Sequence, residues 1–443
     1  MQNQGIRDAR SLGTPKLLVL GLQHMFAMFG ATVLVPALTG LSVSATLLFA
    51  GLGTLFFHFL TKGKVPAFLG SSFAYLAGYA AIAPNGEAAL LPYACVGVAA
   101  SGLLYLILAA LVRGFGANRV MRFFPPVVTG PIIICIGMTL ANSAINNCTG
   151  SWDIALVAII TVIVFNIWGK GMLRIIPILL GVLVSYVYAA VTGRVDFSGV
   201  ASAAWIGLPV KMENTVFSLI GNCDVNLLVT AIIAIMPIAF ATMIEHIGDI
   251  CAISSTVGDN FIADPGLHRT LLGDGLATSI ASLFGAPANT TYGENTGVLA
   301  LTRVYDPLVI RLAAVYAIIA SFCPKFAALV SAMPTGTIGG VSLILYGMIS
   351  AIGVRNLVEN RVDLAKSRNV IVVSLIISLA LGITFSTAGA ITFHVGEFTL
   401  NFSGLAVAAI VGIVVNAILP GKDYNFQNDY EYGKTTEDHG QML

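Results

Sequence analysis

The chain has 443 residues, of which 57% are hydrophobic and only 10% are charged, and its net charge at pH 7 is +1. Soluble domains carry about 25% charged residues, so this composition excludes a water-soluble fold. The near-neutral charge gives no reason to expect nucleic acid as a partner. The mean hydropathy of +0.90 indicates a multi-pass membrane protein, with the lipid bilayer as its first partner.

Fourteen apolar segments follow one another along the chain, several of them short or interrupted by glycine and proline. About 20 apolar residues are needed to cross the hydrocarbon core of a bilayer. The predicted spans are 17–38, 44–61, 66–83, 88–112, 123–145, 153–168, 174–193, 226–254, 271–286, 287–302, 307–332, 335–354, 370–390 and 402–420.

The basic residues indicate how these spans are oriented. If the N-terminus is cytoplasmic, 19 of the 22 Lys and Arg residues fall in inner loops, and only Arg194, Lys211 and Lys325 fall in outer loops. Cytoplasmic loops carry an excess of Lys and Arg. We therefore expect both termini on the cytoplasmic side of the membrane. Treating 271–302 as a re-entrant loop leaves this count unchanged, so charge does not separate twelve spans from fourteen.

An internal repeat favours fourteen spans. Three short motifs recur in the same order, at offsets of 222, 219 and 209 residues. They are Gln23-His24 with Glu245-His246, residues 71–73 with 290–292, and Pro125 with Pro334. Two repeats of seven spans have opposite topology, which is the plan of secondary transporters with a site at the midplane. The predicted fold is an all-α membrane protein with fourteen transmembrane segments in a 7+7 inverted repeat.

Spans 3 and 10 read unlike ordinary helices. Residues 64–75 and 285–295 each contain an early proline, followed by small, hydroxylated and aromatic residues. Proline disturbs a helix, and such residues favour extended backbone, which is tolerated at membrane depth only inside protein or along a cavity. We expect both spans to be discontinuous, with short extended strands that pair and offer backbone amides to a ligand. The alternative is close packing of helices through Gly and Ser.

Acidic residues inside the spans are the candidate binding groups. Glu245 and Asp249 share one face of span 8, and Glu294 follows the irregular part of span 10. An ionisable group in the membrane is costly and indicates function, although a structural carboxylate is the alternative. His24 and His246 are expected to support the site, although a lone membrane His more often links helices. The sequence has no CxxC pair, HExxH or Walker loop, so we expect no metal, no cofactor and no enzyme.

These motifs resemble those of the nucleobase–cation symporter family, which includes uracil, xanthine and ascorbate permeases. Residues 294–303 match its signature of an acid, amide or proline, then Asn-x-Gly, four variable residues, Thr and a basic residue. The residues at 245–246 and 292–294 resemble the uracil branch more than the xanthine and urate branch. Further matches lie at 22–30, 63–73, 244–248, 264–269 and 339–347.

The resemblance implies a fold and a function. It implies a core domain from 17–112 and 226–332, working against a gate domain from 123–193 and 335–420. It also implies uptake of uracil together with a proton. The residues implied for substrate binding are Glu245, Glu294, Phe73, Gly293, Tyr292, Ala31 and Tyr346, with Phe73 and Gly293 offering backbone amides.

The coupling route and the substrate stay open at this point. Glu245 and Asp249 are expected in proton coupling, but some uracil permeases have a histidine at the position of Asp249. A xanthine, urate or broader nucleobase permease shares the fold. An anion transporter or channel of related architecture is disfavoured by the paired membrane glutamates. The oligomeric state is also open, with a homodimer as one option.

Overall fold

The computed structural model describes residues 5–395 and 398–421, without the side chains of Asn118, Met172, Ile175, Glu294 and residues 394–401. In the first half the elements are α1 (Thr14–Thr39), α2 (Val43–Leu60), β1 (Leu69–Ser71), α3 (Leu76–Ile82), α4 (Leu91–Phe115), α5 (Ala117–Met121), α6 (Pro126–Cys148), α7 (Trp152–Ile167), α8 (Met172–Ile175), α9 (Pro177–Val191) and α10 (Ser198–Ser202).

The second half contains another nine helices and three strands within the described residues. They are α11 (Val225–Ile235), α12 (Ala239–Val257), α13 (Leu267–Leu283), β2 (Asn289–Thr291), α14 (Gly293–Thr302), α15 (Pro307–Ser321), α16 (Pro324–Ser331), α17 (Thr335–Glu359), α18 (Ser367–Thr384), β3 (Ala390–Val395), β4 (Phe398–Ser403) and α19 (Gly404–Ile418).

Local sequence signals set several helix ends. Gly40 follows α1 with a φ of 81°, a backbone conformation that favours glycine. The Ser42 hydroxyl accepts a hydrogen bond from the Ala45 amide at the start of α2, and the Asp306 carboxylate accepts one from Leu308 at the start of α15. Each side chain satisfies a backbone donor that the helix itself leaves unpaired.

Several helices have the length and composition of membrane spans. Among the described residues, seven helical segments are long and apolar enough to cross a bilayer, or eight if the bent pair α15 and α16 is one span. The helices α7, α9 and α19 are apolar but shorter. The chain is thus a mostly helical, multi-pass membrane protein. The predicted division into fourteen spans stays a prediction.

Two predicted spans are broken where proline occurs. The predicted span 307–332 is divided into α15 and α16, which are separated by a break and meet at 87°. Pro324 begins the second helix of that pair. The predicted span 226–254 is divided into α11 and α12 by a 3-10 turn that contains Pro237. Proline lacks the amide that would continue the helical hydrogen bonding.

The expected pairing of the two extended stretches is confirmed. Strands β1 and β2 are antiparallel, with Leu69 opposite Thr291 and Ser71 opposite Asn289. All six strand residues are buried. Their backbone groups therefore satisfy one another inside the protein, as membrane depth requires.

A second strand pair lies between α18 and α19. The predicted span 370–390 ends early, since α18 stops at Thr384, and β3 and β4 form an antiparallel hairpin with Ala390 opposite Ser403. The φ of Gly389, 66°, makes the turn into β3. This hairpin was not predicted.

The helices pack in two sets. In one set α4 packs on α13, and α2 and α1 pack on α15. In the other set α17 packs on α6 and α7, and α18 packs on α19. Small residues permit close approach: a Cβ at Gly275 of α13 would lie 3.0 Å from the carbonyl oxygen of Gly102 on α4. The β1–β2 pair is held by helices of the first set.

Candidate functional site

Two threonines hold the strand pair at equivalent points. The Thr54 hydroxyl on α2 accepts a hydrogen bond from the Leu69 amide at 2.9 Å and lies 3.2 Å from the Leu69 carbonyl oxygen. The Thr278 hydroxyl on α13 accepts from the Asn289 amide at 3.2 Å and donates to the Asn289 carbonyl at 2.9 Å. The first residue of each strand is therefore fixed by a threonine of the helix that precedes it.

Tyr292 ties the strand pair to α1. Its hydroxyl donates to the Ser71 carbonyl oxygen at 2.8 Å and lies 3.2 Å from the Ser71 hydroxyl, which donates to the Thr32 carbonyl oxygen at 3.0 Å. A Cβ at Gly70 would lie 2.6 Å from the Tyr292 ring, so only glycine fits beside it. Tyr292 was expected to line the binding pocket. The structure places its hydroxyl among the strands and α1.

The acidic face of α12 lies beside the junction of β2 and α14. Glu245 and Asp249 are both half-buried. The Thr291 hydroxyl donates to Oδ2 of Asp249 at 3.0 Å, and a Cβ at Gly293 would lie 3.5 Å from Oδ1 of the same carboxylate. The backbone of Glu294 lies in the first turn of α14, and its side chain is outside the described part of the structure.

His246 connects this region to Asp274, an acid at the start of predicted span 9 that reads from sequence as a helix cap or a solvated group. The His246 ring is buried, with Nδ1 3.3 Å from the Thr291 hydroxyl and 3.4 Å from Oδ2 of Asp274 on α13. Asp274 is fully buried. The rule that singles out Glu245, an ionisable group within an apolar segment, would also have found Asp274.

His24 links α1 to the 294–303 motif, most of which lies in α14. It is fully buried, and the side-chain nitrogen of Asn295 lies 3.2 Å from its Nδ1 and donates to its carbonyl oxygen at 3.3 Å. Asn295 belongs to the 294–303 motif. His24 was expected to support the site, and its described contacts are of this helix-linking kind.

Phe73 and Tyr346 meet across the two sets of helices. Phe73 begins the turn after β1, and Tyr346 lies on α17. Their rings are 5.9 Å apart at 74°, an edge-to-face contact. Ala31 is buried on α1, next to Thr32. The structure therefore brings Asp249, His246 and Gly293 together at β2, while Phe73 and Tyr346 form a separate aromatic contact.

The arrangement suits a small ligand with both hydrogen-bond donors and acceptors. Carboxylates on α12 accept from N–H groups, and the first amides of the ten-residue α14 favour acceptor groups. Within the described residues, no group of three or more His, Cys, Asp or Glu side chains is placed to hold a metal ion.

Comparisons with known proteins support a transporter. The profile of the Permease family matches residues 15–389. The uracil permease of Bacillus caldolyticus is 42% identical over 437 residues, covering 96% of each chain. The uracil permease of Bacillus subtilis (strain 168) is 40% identical over 451 residues, covering 99% of this chain and 98% of its own.

A solved structure shares the fold. The transmembrane domain of a cyanobacterium bicarbonate transporter, BicA, is 14% identical with a TM-score of 0.58, and the match covers 94% of this chain and 99% of that one. At this identity the likeness concerns the fold alone. Sequence motifs, near full-length relatives and fold agree, and the chain belongs to the permease family.

Proposed function

We propose that this protein takes up uracil across the bacterial cytoplasmic membrane together with a proton. Two uracil permeases are 40% identical or more over nearly the whole chain. The observation that carries the proposal is the carboxylate of Asp249, on the same helix face as Glu245, bonded to Thr291 where the backbone is extended.

Recognition of the base follows from its hydrogen-bonding groups. Uracil presents two N–H donors and two carbonyl acceptors around a flat ring. Glu245 and Glu294 accept from the N–H groups, and the amides of Phe73 and Gly293 donate to the carbonyl oxygens. A base that lacks one of these groups leaves a buried partner unpaired, so the site discriminates strongly. Ala31, Tyr292 and Tyr346 line the remaining surface of the pocket.

Transport uses the two sets of packed helices as moving bodies. The first set corresponds to the core domain of 17–112 and 226–332, and the second to the gate domain of 123–193 and 335–420. Movement between them exposes the site first outward and then inward. The equivalent roles of Thr54 and Thr278 on successive halves support a 7+7 inverted repeat. The Lys and Arg distribution supports cytoplasmic termini.

Proton coupling uses the carboxylates of α12. Glu245 takes up a proton on the outer side, and uracil binds to the protonated carrier. Release of both on the inner side completes the cycle. Two nearby carboxylates balance the charge of the site. Asp249 accepts a hydrogen bond from Thr291, and Asp274 lies beside His246.

The test is uptake of labelled uracil in a bacterium that lacks its own permease. We expect accumulation above the outside concentration, which a protonophore abolishes. Glu245→Gln should lose this accumulation, whereas Glu359→Gln, an exposed acid paired with Arg355, should keep it. Full accumulation by Glu245→Gln would contradict the assigned role. Equal competition by xanthine or urate would indicate a broader nucleobase permease.

A further inference from the structure

An apolar cavity of about 520 Å³ opens between helices of both sets. Its walls come from α4, α5, the segment before α6, α12 and α19, and include Leu108, Met243 and Ile413. Its volume lies within the roughly 300–1,000 Å³ typical of ligand sites. Eleven of its twelve lining residues are apolar, and the other is Arg119. The cavity contains none of the residues assigned to the transport site.

The opening of the cavity lies on the exposed face of α4. On α4, which has the length and composition of a membrane span, Ile107 and Leu111 line the opening and are 54% and 41% exposed. Phe115, at the end of the same helix, is 60% exposed. Side chains exposed on a membrane span face hydrocarbon chains, so a chain-like apolar ligand can enter from the bilayer.

Arg119 supplies a charge at one end of the cavity. It is exposed, and among the described side chains no carboxylate pairs with it. Arg113 lies in the last turn of α4, and Arg122 directly follows α5. A guanidinium offers forked donors that match a phosphate. Basic pockets between transmembrane helices bind anionic headgroups.

We propose that this cavity binds an anionic phospholipid, with one acyl chain against Leu108 and Met243 and the phosphate on Arg119. Charge selects the lipid, because hydrocarbon gains little by moving from the bilayer into an apolar cavity. This step rests on the proposed function, in which α4 and α12 belong to the core domain and α19 belongs to the gate domain. The bound chain then lies in the seam along which the two domains move.

Native mass spectrometry of the purified full chain in detergent tests the binding. Phosphatidylglycerol should bind more tightly than phosphatidylcholine. Arg119→Gln should weaken phosphatidylglycerol binding about fivefold, and Arg119→Lys should keep most of it. Leu111→Trp should fill the cavity and reduce binding. Leu103→Trp is the matched control, since Leu103 is 52% exposed on α4 and does not line the cavity.

Three results would overturn the proposal. In the first, phosphatidylglycerol and phosphatidylcholine bind equally well. In the second, Arg119→Gln and Leu111→Trp both bind phosphatidylglycerol as the wild type does. In the third, Leu103→Trp loses as much phosphatidylglycerol binding as Leu111→Trp. Size-exclusion profiles identify variants that fold. Uracil uptake into vesicles of either lipid is measured separately. Absence of uptake in every lipid counts against the proposed function, and the mass spectra still decide the lipid site.

Discussion

The hydroxyl of Thr291 donates a hydrogen bond to Oδ2 of Asp249, with 3.0 Å between the two oxygens. The bond joins strand β2 to helix α12, and its two residues are 42 positions apart in the chain. Thr291 is also 3.3 Å from Nδ1 of His246. One hydroxyl therefore positions a carboxylate and an imidazole of the same helix against extended backbone.

Replacing Thr291 with valine should impair transport while the fold survives. Valine keeps the shape of the buried side chain but leaves Asp249 without this donor, at a cost of about 1–3 kcal/mol. We expect kcat/KM for uracil uptake to fall by about tenfold or more. Thr291→Ser, which keeps the hydroxyl, should retain most of the activity. Wild-type kinetics in Thr291→Val would show that the bond has no part in the site.

Replacing Asp274 with asparagine should separate coupling from binding. Asp274 is fully buried, and its carboxylate lies 3.4 Å from His246. Asparagine keeps the shape and removes the charge. We expect proton-driven accumulation to be lost while exchange of internal for external labelled uracil continues. Asp196→Asn, an exposed acid in the loop before α10, is the matched control. Loss of exchange together with accumulation would instead indicate a structural role for Asp274.

Removing the threonines that hold the strands should destabilise the protein. In Thr54→Val or Thr278→Val, the buried amide of Leu69 or Asn289 loses its partner. The expected cost is about 1–3 kcal/mol of unfolding free energy for each variant. Thermal unfolding in detergent measures the change. Thr256→Val, whose hydroxyl bonds only within α12 among the described contacts, should change stability by less than about 0.5 kcal/mol. If the two strand-contact variants melt at the same temperature as the Thr256→Val control, these threonines do not stabilise the strands.

An ion pair outside the spans should make a small, pH-dependent contribution. Asp264 pairs with Lys64, and the hydrogen bond from this lysine holds the pKa of the Asp264 carboxyl below its usual value. A lowered pKa in the folded state stabilises the protein above the ordinary carboxyl pKa, and the effect disappears as the pH falls through the lowered value.

Lys64→Gln should therefore lower the melting temperature slightly at pH 7 and by less at pH 3. The effect is small because water screens both exposed side chains. Lys170→Gln, at another exposed lysine, serves as the control. A larger difference at pH 3 than at pH 7 would contradict the sign of this argument.

The long helices and the strand pair were predictable from sequence. Continuous apolar runs place α1, α2 and α6 within about three residues of the predicted spans. Early prolines followed by small residues predicted the extended stretches, and the internal repeat predicted that they pair. These signals are local or repeat at a fixed distance, so one sequence is enough to see them.

Other features depend on contacts between distant residues. Thr54 and Thr278 read as ordinary helix-packing residues, because nothing local shows that each faces the start of a strand. Asp274 gains its significance from His246, on another helix. The bend between α15 and α16 lies within one continuous apolar run, and hydropathy does not indicate the direction of a helix axis. The β3–β4 hairpin was likewise merged in part into a predicted span.

The pairing of β1 with β2 has a consequence for biosynthesis. Residue 69 leaves the ribosome 220 residues before residue 289, its partner strand's first residue. Until then the backbone N–H and C=O groups of β1 lack the hydrogen-bond partners that β2 supplies. Such unpaired groups are not tolerated in contact with lipid. The first half, made alone, should therefore remain incompletely folded and open to proteolysis. Co-expression of the second half as a separate polypeptide should protect it.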